Sequence, residues 1–212
     1  SIVHKMYEEC LREYAINFNT SDDYKVELDK VLSDPEYVSS LSEKYFDAYC
    51  IESNNPNEKT IEYKKSPGVK VRRIFEKTLP IIIDEIVTSK NLPDRFELKI
   101  GTEGTTNTLK TSNGTEFIFN GYIDRIDKNE EDNNLRIIDY KTGSKSIDLK
   151  KALAGVQIQL FAYANAIDNL GEVSSVGYFP IGLKSDSGKD VDIKPDISAL
   201  EPDDFKVVKE YS

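Results

Sequence analysis

The stretch Leu135-Arg136-Ile137-Ile138-Asp139-Tyr140-Lys141-Thr142-Gly143 decides the fold reading. It places an acid and a lysine two residues apart inside a short apolar segment. Strand side chains alternate faces, so Asp139 and Lys141 point one way while Ile138 and Tyr140 point the other. A carboxylate beside an ammonium at a strand end can hold a divalent metal and a water together. A second acid lies upstream, in Gly121-Tyr122-Ile123-Asp124-Arg125-Ile126-Asp127. The chain between the two segments, Lys128 to Asn134, is polar and turn-rich. That predicts a hairpin, and a hairpin could bring Asp124 beside Asp139.

Outward from this hairpin, the N-terminal half reads as helical. Val3, Met6, Tyr7, Cys10, Leu11 and Tyr14 recur at three- and four-residue spacing, predicting an amphipathic helix over Ile2 to Ala15. Asp22 to Leu32 and Glu36 to Ile51 are two more, the first capped by Thr20 or Ser21 and the second following Pro35. Val69 to Lys90 is a long helix with Pro80 inside it, which predicts a kink or a break near Leu79. The period then changes. Arg95 to Ile100, Glu116 to Ile126, Leu135 to Lys141 and Val173 to Pro180 read as strands, Gly101 to Gly114 as a loop and Leu149 to Asn169 as a helix. From Gly182 onward the chain is polar and is expected to wrap the surface or supply an edge element. This order predicts an α/β or α+β fold around a small mixed sheet, with helices dominating the N-terminal half.

The 212 residues are 38% hydrophobic and 31% charged, enough for one domain with a real core. The longest apolar stretches, such as Leu79 to Val87, are interrupted by Pro80, Asp84 and Glu85 and are too short to cross a bilayer, so no membrane role is expected. No secretory leader is visible. The chain starts at Ser1 and is helical in pattern by Ile2, which reads as a fragment of a longer protein. Cys10 and Cys50 have no partner at metal-ligand spacing and read as buried or half-buried free thiols. The net charge of -10 argues against general coating of nucleic acid. It leaves room for a nuclease, because metal ions offset local acid charge.

In chain order the candidate residues are His4 with Glu8, Glu97, Gly121-x-x-Asp124-Arg125-x-Asp127, Asp139-Tyr140-Lys141, and Gln159-x-x-x-Tyr163. With these motifs the chain resembles the RecB/AddB-type nucleases of the PD-(D/E)xK superfamily, from His4 to about Pro180. The resemblance implies a restriction-endonuclease-like core and metal-dependent hydrolysis of DNA phosphodiester bonds. It implies Mg²⁺ or Mn²⁺ held by Asp124, Asp139, the backbone carbonyl of Tyr140, and His4. Lys141 would orient the attacking water and offset transition-state charge. Whether Lys141 also takes a proton depends on its pKa and stays open. Gln159 and Tyr163 would lie beside the site, contacting the lysine, the water or the DNA backbone. Glu97 would be a supporting acid, Arg125 a further support, and Glu8 a partner that orients the His4 ring.

The implied setting is the nuclease domain of a bacterial cytoplasmic helicase–nuclease acting in double-strand break repair. Its partners would be DNA, as single strands or duplex ends, and a helicase in the same chain or on a separate partner chain. A single domain over 1–212 is expected, with a helical region 1–92 carrying His4, a core 93–181 and a polar segment 182–212. Lys145, Lys150 and Lys151 are candidate phosphate contacts, ahead of the basic run Lys64 to Arg73. Many relatives carry an iron–sulfur cluster on four cysteines; Cys10 and Cys50 are misplaced for one, and none is expected here. The rival reading is a catalytically silent nuclease-like scaffold or DNA-guiding module. Exo- against endonuclease action and one metal against two stay open.

Overall fold

The computed structural model describes residues 1–17, 22–52, 67–102, 104–110, 114–142, 146–148, 158–182 and 193–199. Two compact units divide the chain, the first over residues 1–92 and the second built on residues 93–180.

The first unit is helical: α1 (Ile2–Asn17), α2 (Asp22–Ser33), α3 (Pro35–Glu52) and α4 (Pro67–Ser89). Its core is the apolar stripe read from the spacing. Val3, Met6, Tyr7, Cys10, Leu11 and Tyr14 of α1 are all buried, and the Tyr7 ring stacks on Phe75 of α4 at 5.4 Å. Asp34 begins α3 by accepting hydrogen bonds from the backbone amides of Glu36 and Tyr37, an N-cap. Cys10 and Cys50 are both buried, and neither is in a disulfide. The break expected near Leu79 does not occur, since α4 runs through Pro80. An interior proline costs about 3 kcal/mol. Leu79, Ile82, Ile83 and Ile86 are fully buried, and each contributes about 1.5–3 kcal/mol. Packing therefore outweighs the lost backbone bond.

Among its described residues the second unit has a mixed five-stranded sheet, whose strands lie side by side in the order β1 (Asn91–Lys99), β4 (Tyr122–Asn129), β5 (Leu135–Lys141), β6 (Val173–Pro180) and β7 (Asp196–Ala199). A separate pair, β2 (Thr108–Lys110) and β3 (Glu116–Ile118), forms an antiparallel ribbon. The single strand expected over Glu116 to Ile126 is thus two. The Ile100 amide donates to the Gly121 carbonyl and the Phe119 amide to the Asn107 carbonyl, so the chain changes partners across Phe119 to Gly121. β2 falls inside the stretch read as a loop, because three residues are too few for alternation to register. The polar C-terminal stretch supplies an edge strand, β7, antiparallel to β6.

The predicted hairpin is present. β4 and β5 are antiparallel, with Arg125 opposite Ile138, Ile126 opposite Ile137 and Asp127 opposite Arg136. Its turn is closed by the Asn129 side chain, which accepts from the amides of Glu131 and Asp132, and by Asn133 at φ 63°. β5 and β6 are parallel, which requires a crossover between them. The crossover carries α5 (Gln159–Ala166); the earlier stretch of the helix read from Leu149 lies outside the described residues. Leu160, Phe161, Ala164 and Ile167 pack on Ile126, Ile137 and Val176, so α5 covers the sheet face that bears Asp139.

The opposite face of the hairpin holds a buried ion cluster. Asp127 receives Arg125 Nε at 2.8 Å and Arg136 Nη2 at 2.7 Å, and both Arg125 and Asp127 are 0% exposed. Arg125 also donates to the Tyr140 hydroxyl at 2.8 Å. Removing the one acid would leave two buried guanidinium groups facing each other. Asp127→Ala should therefore lose about 3–5 kcal/mol of unfolding free energy in urea titration, the cost of orphaning a buried charge. A loss under about 1 kcal/mol, the scale of an exposed pair, would contradict this account.

Candidate active site

Alternation along β5 puts Ile137, Asp139 and Lys141 on the α5 side. In the parallel register Tyr178 lies beside Asp139, on the same side. Lys141 Nζ is ion-paired with Asp139 Oδ2 and stands 5.6 Å from the centroid of the Tyr178 ring. Gln159, at the start of α5, joins them. Its Nε2 donates to Asp139 Oδ1 at 3.0 Å and to the Tyr163 hydroxyl at 3.0 Å, while its Oε1 accepts from Lys141 Nζ at 3.3 Å. Gln159 and Tyr163 are one helical turn apart, which is why one amide reaches both.

Asp124 is bound to this set through the backbone. Its Oδ2 accepts from the Tyr140 amide at 2.7 Å, so the acid of β4 is fixed against the residue between Asp139 and Lys141. Glu97 of β1 presents a carboxylate oxygen within 4.8 Å of one from Asp124. Ligand distances for a hard cation are about 2.0–2.6 Å. Two oxygens at that separation can share one ion. Glu97 is also held at φ 47°, in the left-handed region that non-glycine residues rarely enter. Such residues cost of order 1–3 kcal/mol and cluster at active sites.

Arg125 and Glu8, the predicted supports on β4 and α1, have defined partners. Arg125 is buried on the other sheet face and reaches the site indirectly, by holding the Tyr140 ring. Glu8 accepts hydrogen bonds from Lys5 and Arg12 along α1, at 3.1 and 2.8 Å. His4 is on α1, in the first unit. Lys145, Lys150 and Lys151 lie outside the described residues, as do residues 64–66 of the basic run.

Sequence reasoning did not single out Tyr178, and it met Gly121 only as the first residue of a motif. Tyr178 became visible only through the β5–β6 register, although alternation in Val173 to Pro180 already grouped it with Val176. Burial pushes the Tyr178 hydroxyl up to about 12, with the Asp139 charge acting in the same direction. Burial likewise raises the Tyr163 hydroxyl; Asp139 and Asp124 add to the rise, while Gln159 and Lys141 oppose it.

A family model described as "PD-(D/E)XK nuclease superfamily" matches residues 1–211. The chain belongs to that superfamily. The mixed sheet and five helices of the described residues agree with a nuclease core of this type. Among curated proteins, the chain is 41% identical over 105 residues to the B-type subunit of the ATP-dependent helicase/deoxyribonuclease of Clostridium perfringens strain SM101, a match covering 48% of this chain and 9% of that protein. It is 33% identical over 141 residues to the protein of the same name from Clostridioides difficile strain 630, covering 65% of this chain and 11% of that one. The Clostridium acetobutylicum protein of that name is 33% identical over 116 residues, 51% of this chain and 10% of that one. The chain thus spans about a tenth of the length of these relatives.

The raised tyrosine values give a pH dependence. Between pH 10 and 12 an unfolded Tyr178 loses its proton while the folded one keeps it, so the folded state binds more protons and stability falls as pH rises. Unfolding titrations across this window should show a shallower decline in Tyr178→Phe than in the unaltered chain. Equal slopes would mean that Tyr178 titrates alike in both states.

Proposed function

We propose that this nuclease-superfamily chain is a metal-dependent deoxyribonuclease domain, acting within a longer helicase–nuclease. The observation that carries the reading is the hydrogen-bonded set Asp139–Lys141–Gln159–Tyr163 with Asp124 fixed beside it. A carboxylate pair, an ammonium and an orienting amide on one face of the sheet suit phosphodiester hydrolysis. The names of the relatives support a helicase in the same assembly, and DNA as substrate.

The donor set suits Mg²⁺ or Mn²⁺, since it is made of carboxylate oxygens, the ligands such hard cations prefer. Asp124 and Asp139 would hold the ion, with Glu97 as a further acid and the Tyr140 carbonyl as a neutral oxygen. His4 is added as a ligand on the family resemblance. When bound, the cation supplies Lewis acidity to the phosphodiester oxygen and to the attacking water. Lys141 is held by Asp139 and Gln159 so that its ammonium can orient the water and offset the charge that grows on phosphorus oxygens. Tyr163 accepts its hydrogen bond from Gln159, which leaves its own hydroxyl proton for a substrate oxygen. Lys145, Lys150 and Lys151, which follow β5 in sequence, would contact DNA phosphates.

Cleavage of end-labelled single-stranded DNA should depend on added Mg²⁺ or Mn²⁺ and disappear in Asp139→Ala and Lys141→Ala. A metal-independent activity, or one that survives both substitutions, would refute the assignment. Isothermal calorimetry with Mn²⁺ checks the ligands separately. Asp124→Asn should weaken the ion by about tenfold or more, the scale expected when a ligand or its close support is lost. A silent scaffold would show neither cleavage nor a metal site lost on that change.

A further inference from the structure

Gly121 lies just before β4, at the point where the chain leaves the β2–β3 ribbon and enters the main sheet. Its φ lies outside the left-handed region, unlike those of Gly101, Gly104, Gly114 and Gly171. Backbone conformation therefore does not demand glycine here. Space does. A Cβ at this position would stand 3.0 Å from the Tyr163 hydroxyl oxygen and 3.3 Å from Tyr163 Cε1. Both are contacts to a ring whose helix is anchored in the core by Leu160, Ala164 and Ile167.

That hydroxyl has a defined task. An amide has two N–H donors, and both of those on Gln159 are committed, one to Asp139 Oδ1 and one to Tyr163. Turned over, the amide would set its oxygen against the Asp139 carboxylate and its NH₂ against the Lys141 ammonium. Charge thus fixes its orientation, and the Tyr163 oxygen takes the remaining N–H. If the hydroxyl were displaced, Gln159 would lose one of the two anchors that keep its oxygen on Lys141.

We propose that Gly121 is a positioning residue for the reacting groups: its missing side chain seats the Tyr163 hydroxyl, which acts through Gln159 to hold Asp139 and Lys141 at their working distances. This rests on the nuclease reading above for its consequence in catalysis, although the coupling itself is a matter of packing.

A double-variant cycle on the full 212-residue chain tests it. Gly121→Ala should lower kcat for single-stranded DNA by about fivefold, the value of the one Gln159 hydrogen bond that the crowded hydroxyl would lose, with KM little changed. Tyr163→Phe removes that bond together with the hydroxyl proposed to meet a substrate oxygen and should cost about 25-fold. Gly121→Ala combined with Tyr163→Phe should cost no more than Tyr163→Phe alone, because the obstructing oxygen is gone. Wild-type turnover in Gly121→Ala would overturn the proposal, as would a double loss equal to the product of the two single losses.

The side-chain NH₂ signal of Gln159 in ¹⁵N NMR, assigned by its disappearance in Gln159→Glu, reads the coupling without any cleavage. It should move in Gly121→Ala, and in the double variant it should match Tyr163→Phe; an unmoved signal in Gly121→Ala refutes the proposal. If the unaltered chain cuts no DNA, the functional reading fails and this signal alone decides the coupling. If Gly121→Ala does not fold, the double variant decides: a folded protein with the Tyr163→Phe signal supports the proposal, and an unfolded one overturns it.

Discussion

Asp127, buried between the guanidinium groups of Arg125 and Arg136, is the interaction on which the site depends. It joins β4 to β5 across a directly opposed pair, so it specifies which residue faces which. A slip of one residue along the hairpin would send every side chain to the other face. Asp139 and Lys141 would then leave α5, and Ile138 and Tyr140 would take their places. It would also move Asp127 away from Arg136 in a medium where unpaired charge is expensive. The cluster contributes little net stability compared with an apolar replacement, but it penalises the wrong register heavily.

With register fixed, the site is assembled from short-range contacts. The Tyr140 peptide is the hinge between the two sheet faces. Its side chain is held by Arg125 on one face, and its amide holds Asp124 near the acids of the other. Gln159 then connects helix to sheet, reading a carboxylate, an ammonium and a phenol with one planar group. Each of these links sets a donor opposite an acceptor or a cation opposite an anion. The set therefore needs little from the surrounding fold beyond correct spacing.

Much of this was legible in the chain itself. Alternation placed Asp139 and Lys141 on one face, and the polar turn after Lys128 announced the hairpin. The stripe from Val3 to Tyr14 gave α1 its buried side. The failures have physical causes. Of the kink or break expected at Pro80, the break does not occur, because local propensity yielded to the burial of Leu79, Ile82, Ile83 and Ile86. Glu116 to Ile126 looked like one strand because alternation cannot report a change of pairing partner. Asp127 and Arg136 were not linked, since the partnership needs the register and not just the hairpin. Gly121 and Tyr178 acquire meaning only when strands and helices that are distant in sequence lie side by side.

The backbone at Glu97 has a consequence for any attempt to harden this domain against heat. Its left-handed φ is a liability that glycine would remove at once. A directed-evolution campaign scored on thermal survival alone would be rewarded for making that exchange. The same codon encodes a carboxylate facing Asp124. Robustness and chemistry therefore compete at a single locus, and selection for one without the other will drift away from the carboxylate.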